Sequence, residues 1–115
     1  EPELASVGLS QTEAEAQGLA IKTGEFPMQA NGRALTLDSP DGLVRIIASQ
    51  ADDEILGAHL LAPHASEMLP ILTMAVSRRL KIRDLDSIIY IHPTLSEAIP
   101  EAALKTNKEA LHILN

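Results

Sequence analysis

Apolar residues recur along this chain with two different periods, and the change of period marks out its elements. Leu4-Ala5-Ser6-Val7-Gly8-Leu9 alternates small and apolar residues, the pattern of a short strand ending near Gly8. Ser10-Gln11-Thr12-Glu13 has the form of a capping box, which predicts a short helix through Glu15 to about Gln17, stopped by Gly18. Leu19 to Phe26 alternates again and predicts a second strand closed by Pro27. Between Met28 and Thr36 the pattern is ragged; Asn31-Gly32 signals a turn, with a helical turn over Ala30 to Leu35. The clearest local feature is a hairpin: Gly42 to Ser49 and Glu54 to Ala62, joined by the polar Gln50-Ala51-Asp52-Asp53. Both of its strands carry apolar residues on both faces, so the sheet is expected to be covered on both sides for part of its length.

From Ala65 the period lengthens. Met68, Leu69, Leu72, Ala75, Val76 and Leu80 fall at three- and four-residue spacing, which predicts a helix over about Ala65 to Leu80 that lays one apolar face on the hairpin. Pro70 lies within it, and proline deep in a helix costs roughly 3 kcal/mol, so an irregular first turn is expected. Arg83 to Ser87 reads as a second short helix or turn, and Ile88 to Ile91 as a strand. A last element runs from Thr94 toward Leu111, interrupted or restarted at Pro100, where the i,i+4 pair Glu101 and Lys105 would support a helix. Antiparallel strands with helices at their sides predict an α+β fold, an antiparallel sheet flanked by helices, in one domain of 115 residues.

Composition narrows the chemistry. One Phe, one Tyr and no Trp leave an aliphatic core. A net charge of -7 argues against nucleic acid and anionic membrane surfaces as partners. The densest cations, Arg78-Arg79 with Lys81 and Arg83, close a helical pattern, where they suit the helix dipole. With no cysteine, the chain itself has no disulfide, thiolate metal site or cysteine nucleophile. No run approaches the roughly 18 apolar residues of a membrane span, and no signal-peptide pattern opens the chain, so a cytoplasmic location is expected. The start at Glu1-Pro2-Glu3, without Met, is expected of a piece of a longer protein and equally of a processed chain.

His92 and Glu97 are the one pairing that rises above background. Pro93 restricts the backbone beside His92, and a His-Pro bond can be cis. Thr94 with Glu97 fits a second capping box, which places a helix start just after the histidine. Two readings follow from this spacing. A carboxylate that accepts the proton of one imidazole nitrogen leaves the other as a general base. Equally, Glu97 can simply complete the capping box while His92 is a loop residue.

The stretch His92-Pro93-Thr94-Leu95-Ser96-Glu97, followed by Glu101-Ala102-Ala103-Leu104, resembles the C-terminal signature of the pyridine nucleotide-disulfide oxidoreductases, most closely the dihydrolipoamide dehydrogenase branch. Pro2-Glu3-Leu4-Ala5-Ser6-Val7-Gly8-Leu9 resembles the opening of that family's interface domain. Ile55-Leu56-Gly57-Ala58-His59-Leu60-Leu61-Ala62-Pro63 with Ala65-Ser66-Glu67 resembles its central hairpin and helix. The resemblance implies that residues 1–115 are a dimerisation domain, without the FAD- and NAD-binding domains of the parent enzyme. It implies a homodimer in which His92 reaches the partner subunit's active site as acid–base catalyst of thiol–disulfide exchange, oriented by Glu97. The backbone at His92-Pro93 would lie against the partner's flavin. FAD and NAD would be cofactors of the intact parent and not of this chain, and a lipoyl-bearing 2-oxoacid dehydrogenase complex a partner. Tyr90, where many members carry a second histidine, Ile91 in place of a small residue, and Pro100 depart from the family pattern.

Two rivals are expected to differ from this. One is a stand-alone acidic dimerisation or interaction module with no catalytic role. The other is a small hydrolase pairing His92 and Glu97 with the hydroxyl of Ser96 or Thr94, though no nucleophile elbow supports it and the hydroxyls suit helix caps better. His59, His64 and His112 have no metal-site spacing, and Met68 and Met74 read as core filling.

Overall fold

The computed structural model describes residues 2–36, 41–88, 90 and 92–108. Four strands, β1 (Glu3–Gly8), β2 (Ile21–Pro27), β3 (Leu43–Ser49) and β4 (Ile55–Ala62), form one antiparallel sheet in the order β1-β4-β3-β2. The predicted hairpin is its centre, with β1 added beside β4 and β2 beside β3. The described residues also form five helices: α1 (Gln11–Ala16), α2 (Gly32–Thr36), α3 (Ala65–Ser77), α4 (Ile82–Asp86) and α5 (Ala98–Lys105). Single 3-10 turns at Met28–Ala30 and Leu95–Glu97 precede α2 and α5. The α+β class read from the sequence is the one observed.

Strand alternation sorts the core. Phe26, Val44, Ile46, Ala48, Ala58 and Leu60 share one face and are buried with Met68, Leu72 and Ala75 of α3 and Ile99, Ala102 and Ala103 of α5. Helix α3 lies over β1 and β4, and α5 over β2 and β3. At Gly24 the approach of α5 leaves no room for a side chain, because a Cβ would sit 2.2 Å from the Ala102 carbonyl oxygen. Glycine there is what lets α5, and the segment before it, settle onto the sheet.

The connection from β1 to β2 crosses the other face. Leu9 O lies where a Gly57 Cβ would be, 2.0 Å away, and accepts from His59 Nε2 at 3.0 Å. That crossing covers one end of the face, where Ile47 is fully buried. At the far end Leu4, Leu61, Leu43 and Pro27 stand in cross-strand register, with Leu4 79% and Leu61 41% exposed. Coverage of both faces for part of the length, as the pattern predicted, is thus what the sheet has.

Several boundaries differ from expectation for identifiable reasons. Helix α3 is regular from Ala65, since the Glu3 carboxylate on β1 accepts from both Ser66 N–H (3.0 Å) and Ser66 Oγ (2.8 Å) and so caps its first turn. Pro70 is accommodated inside it. The helix ends at Ser77, short of Leu80, where Arg79 turns into the left-handed region (φ 57) and Leu80 O turns back to accept from Ile55 N–H. Pro100 neither interrupts nor restarts the last helix: it is the third residue of α5, where a backbone N–H would have no intrahelical partner in any case. No strand forms at Ile88 or Tyr90; Ile89 and Ile91 lie outside the described residues, as do Leu111 and His112.

Candidate active site

The His92 segment is held from both of its ends. Upstream, α4 buries Ile82 and Leu85 and packs on α5. Tyr90 then donates its hydroxyl to Leu85 O at 3.1 Å. Burial, with a smaller contribution from Asp86, pushes the Tyr90 phenol up to about 12, so it remains a neutral donor across the physiological range. Downstream, Leu95, Ala98 and Ile99 are buried and fasten the start of α5 to the core.

Between these anchors the chain turns through a cis His92–Pro93 peptide and exposes both residues. Glu97 gathers the turn around its carboxylate. Its Oε1 accepts from Thr94 N–H at 2.7 Å, and its two oxygens lie 3.0 and 2.9 Å from His92 Nδ1. An acceptor-only carboxylate at Nδ1 requires the proton on that nitrogen, so in the neutral imidazole the lone pair is on Nε2. Glu97 is only 25% exposed while the His92 side chain is 74% exposed, so the orienting group is inside and the oriented one faces out. A cleft of about 230 Å³ opens beside the pair, lined by Phe26, Ala30, Asn31, Gly32, His92, Glu97 and Glu101. This arrangement can take up and return a proton at Nε2 for a group presented from outside the described residues.

The two sequence-predicted site residues are therefore brought together, and Pro93 is beside them. The second capping box is only half made. Glu97 holds the Thr94 amide, but Thr94 Oγ1 is buried with no hydrogen-bond partner among the described residues. A tight 3-10 turn at Leu95–Glu97, in place of an α-helical first turn, accompanies that loss. The hydrolase arrangement is not assembled: among the described residues neither Thr94 nor Ser96 hydrogen-bonds to the imidazole, whose bonds go to Glu97. Nor do the described residues hold a group of three or more His, Asp or Glu placed to bind a metal. Met68 is core, as read, but Met74 is 56% exposed.

Asn31 was missed as a site residue; only a turn at Asn31-Gly32 was legible. It is 3% exposed, and its side chain spans 63 residues of sequence to donate to Thr94 O at 3.0 Å. An Asn followed by a helical turn is an N-cap signal, which could have flagged its local half. Nothing in a linear pattern signals the distant half.

No helix among the described residues is long and apolar enough to cross a membrane. Comparison with known proteins matches residues 1–103 to the family described as "Pyridine nucleotide-disulphide oxidoreductase, dimerisation domain". Dihydrolipoyl dehydrogenase 3 of Haloarcula marismortui is 42% identical over 115 residues, all of this chain but 24% of that protein. Among solved structures, LpdA from Mycobacterium tuberculosis superposes with a TM-score of 0.83 at 32% identity, covering 89% of this chain and 22% of that one. The HOCl-induced flavoprotein disulfide reductase RclA from Escherichia coli gives 0.82 at 28% identity, over 87% and 23%. The chain spans about a quarter of the length of these relatives.

Proposed function

Because the chain belongs to the pyridine nucleotide-disulphide oxidoreductase dimerisation-domain family, we propose that residues 1–115 are the dimerisation domain of a dihydrolipoamide dehydrogenase-like enzyme that uses FAD and NAD. In this reading two such domains pair in the intact protein. His92 of one subunit serves as acid–base catalyst in the active site of the other, and Glu97 orients it. The observation that carries this reading is the Glu97 carboxylate on His92 Nδ1, which turns an exposed Nε2 outward with its lone pair available. The exposed apolar row of Leu4 and Leu61 supports a domain that meets further protein.

Neither dinucleotide is assigned to this chain itself in this reading. Its sequence has no Gly-rich phosphate loop and no cysteine pair. FAD and NAD are therefore assigned to other domains of the parent, with the exposed His92-Pro93 step against the partner's flavin. The bound flavin would accept the electrons released when a dithiol becomes a disulfide.

The chain's contribution is proton chemistry. His92 Nε2 takes the proton of a substrate thiol, and Glu97 stabilises the resulting imidazolium through Nδ1. The thiolate so formed attacks a disulfide sulfur of the partner's cysteine pair, making one S–S bond while the old one breaks and releases a thiolate. The proton on Nε2 is then available to that leaving sulfur. Dihydrolipoamide is the proposed dithiol, a lipoyl-bearing 2-oxoacid dehydrogenase complex the proposed source of it, and the cytoplasm the proposed location.

The test is His92→Ala in the intact flavoprotein. Dithiol turnover should fall by about 10²–10⁴-fold, the usual worth of a positioned acid–base group, while flavin absorbance and dimer mass are retained. Turnover at the unsubstituted level would remove the acid–base role.

A further inference from the structure

We propose that Asn31 is the positioning residue of the His92–Glu97 pair, through a buried carboxamide that clamps the turn between them. The inference rests on the acid–base reading of His92.

Every polar group of Asn31 has an assigned task. Its Oδ1 accepts from Ala34 N–H at 2.9 Å, which caps the N-terminus of α2. Its Nδ2 donates to Thr94 O at 3.0 Å and, more weakly, to Leu95 O at 3.4 Å. Its own N–H donates to Met28 O at 2.9 Å, which closes the 3-10 turn that follows β2. The side chain is therefore a rigid strut between the sheet and the residues just after His92.

The strut meets the turn opposite Glu97. Asn31 takes the carbonyls of Thr94 and Leu95, while Glu97 Oε1 takes the Thr94 amide at 2.7 Å. Held on both its carbonyl and its amide side, the Thr94 backbone cannot swing, and the carboxylate that orients His92 stays in one place. The next residue completes the contact: a Cβ on Gly32 would lie 3.9 Å from His92 Cε1 and 4.0 Å from Pro93 Cβ. Both Asn31 and Gly32 line the cleft beside the imidazole.

Chemistry limits what can replace it. The site needs an acceptor for Ala34 and donors for two carbonyls at one branched centre, which an amide supplies. Serine retains an acceptor for the α2 cap but is too short to reach Thr94. Aspartate retains the cap acceptor yet sets a second oxygen against two carbonyl oxygens.

The experiment measures kcat, KM for dihydrolipoamide, flavin content and thermal midpoint for Asn31→Ser in the intact flavoprotein, alone and combined with Glu97→Gln. In the unsubstituted background, kcat should fall about tenfold with KM within about twofold, the size expected when an acid–base group is misplaced and binding is not. In the Glu97→Gln background the same change should alter kcat by less than about twofold, because residues acting through one another are not additive. Equal losses in the two backgrounds, or a lowered thermal midpoint with kcat untouched, would overturn the proposal and leave Asn31 a helix cap. Should Asn31→Ser fail to retain flavin, Asn31→Asp is read in both backgrounds by the same criteria. His92→Ala separates the two levels: normal turnover there overturns the acid–base reading and this proposal with it. A large loss in His92→Ala beside an unaffected Asn31→Ser overturns this proposal alone.

Discussion

Two stretches with the same four-residue signature, Ser10-Gln11-Thr12-Glu13 and Thr94-Leu95-Ser96-Glu97, fold to two different ends. At α1 the box closes. Ser10 Oγ accepts from Glu13 N–H at 3.1 Å and Glu13 Oε1 accepts from Ser10 N–H at 2.8 Å. At Thr94 the glutamate still holds the backbone amide, but its carboxylate also faces His92 Nδ1, and the threonine hydroxyl has no partner among the described residues. One carboxylate has a single backbone duty on the surface. The other also holds the exposed imidazole of His92. The comparison teaches that a capping box can be a scaffold for chemistry when a titratable neighbour stands within its reach.

Four substitutions and titrations would break or sharpen this contrast. The largest effect is expected from Glu97→Gln in the intact flavoprotein. Glutamine can still accept the Thr94 amide but lacks the charge that stabilises an imidazolium, so dithiol turnover should drop by up to about 10²-fold, below the full acid–base contribution. A matching stability loss would instead mark Glu97 as a cap only, and comparing kcat with the thermal midpoint decides between them. Next is Ser10→Ala, which removes a working cap and should cost about 1 kcal/mol by denaturant unfolding. Its counterpart Thr94→Val should change stability by less than about 0.5 kcal/mol, because the hydroxyl it deletes is buried and unpartnered. A cost at Thr94 equal to that at Ser10 would show that both boxes close in solution.

The smallest effect is a titration. The Ser10 backbone N–H, and then the Ser10 hydroxyl, hold the Glu13 carboxyl below its ordinary value of 4.5. A depressed folded-state value means that the stabilisation is present above the unfolded value and is lost as pH falls through the lowered one. Carboxyl carbon shifts followed by NMR should place the Glu13 midpoint below 4.5, and Ser10→Ala, which deletes the hydroxyl but keeps the backbone N–H that is the larger cause, should return it only part of the way. A Glu13 midpoint at or above 4.5 in the unsubstituted protein would detach the carboxylate from the cap.

Much of the fold was legible because its signals are local and repeated. The strand alternation around Val44, Ile46, Ala58 and Leu60, and the three- and four-residue spacing of Met68, Leu72 and Ala75, each state one face several times over. Errors gathered where a contact distant in sequence overrode the local rule. Glu3 caps α3 from another element, which makes its first turn regular despite Pro70. The return of Leu80 to Ile55 ends the same helix early.

By itself the sequence determined which faces are apolar, where the hairpin turns, and that His92, Pro93 and Glu97 lie close together, since five residues across a proline turn cannot be far apart. It left open whether Glu97 serves the backbone or the imidazole, because the spacing suits both. Tertiary structure decided that it serves both, by burying Leu95 and Ile99 beneath the turn and by bringing Asn31 against the Thr94 carbonyl. The physical reason is range. Periodicity and capping are written within a few residues, whereas the place of a site depends on contacts whose partners only the packed sheet and helices bring together.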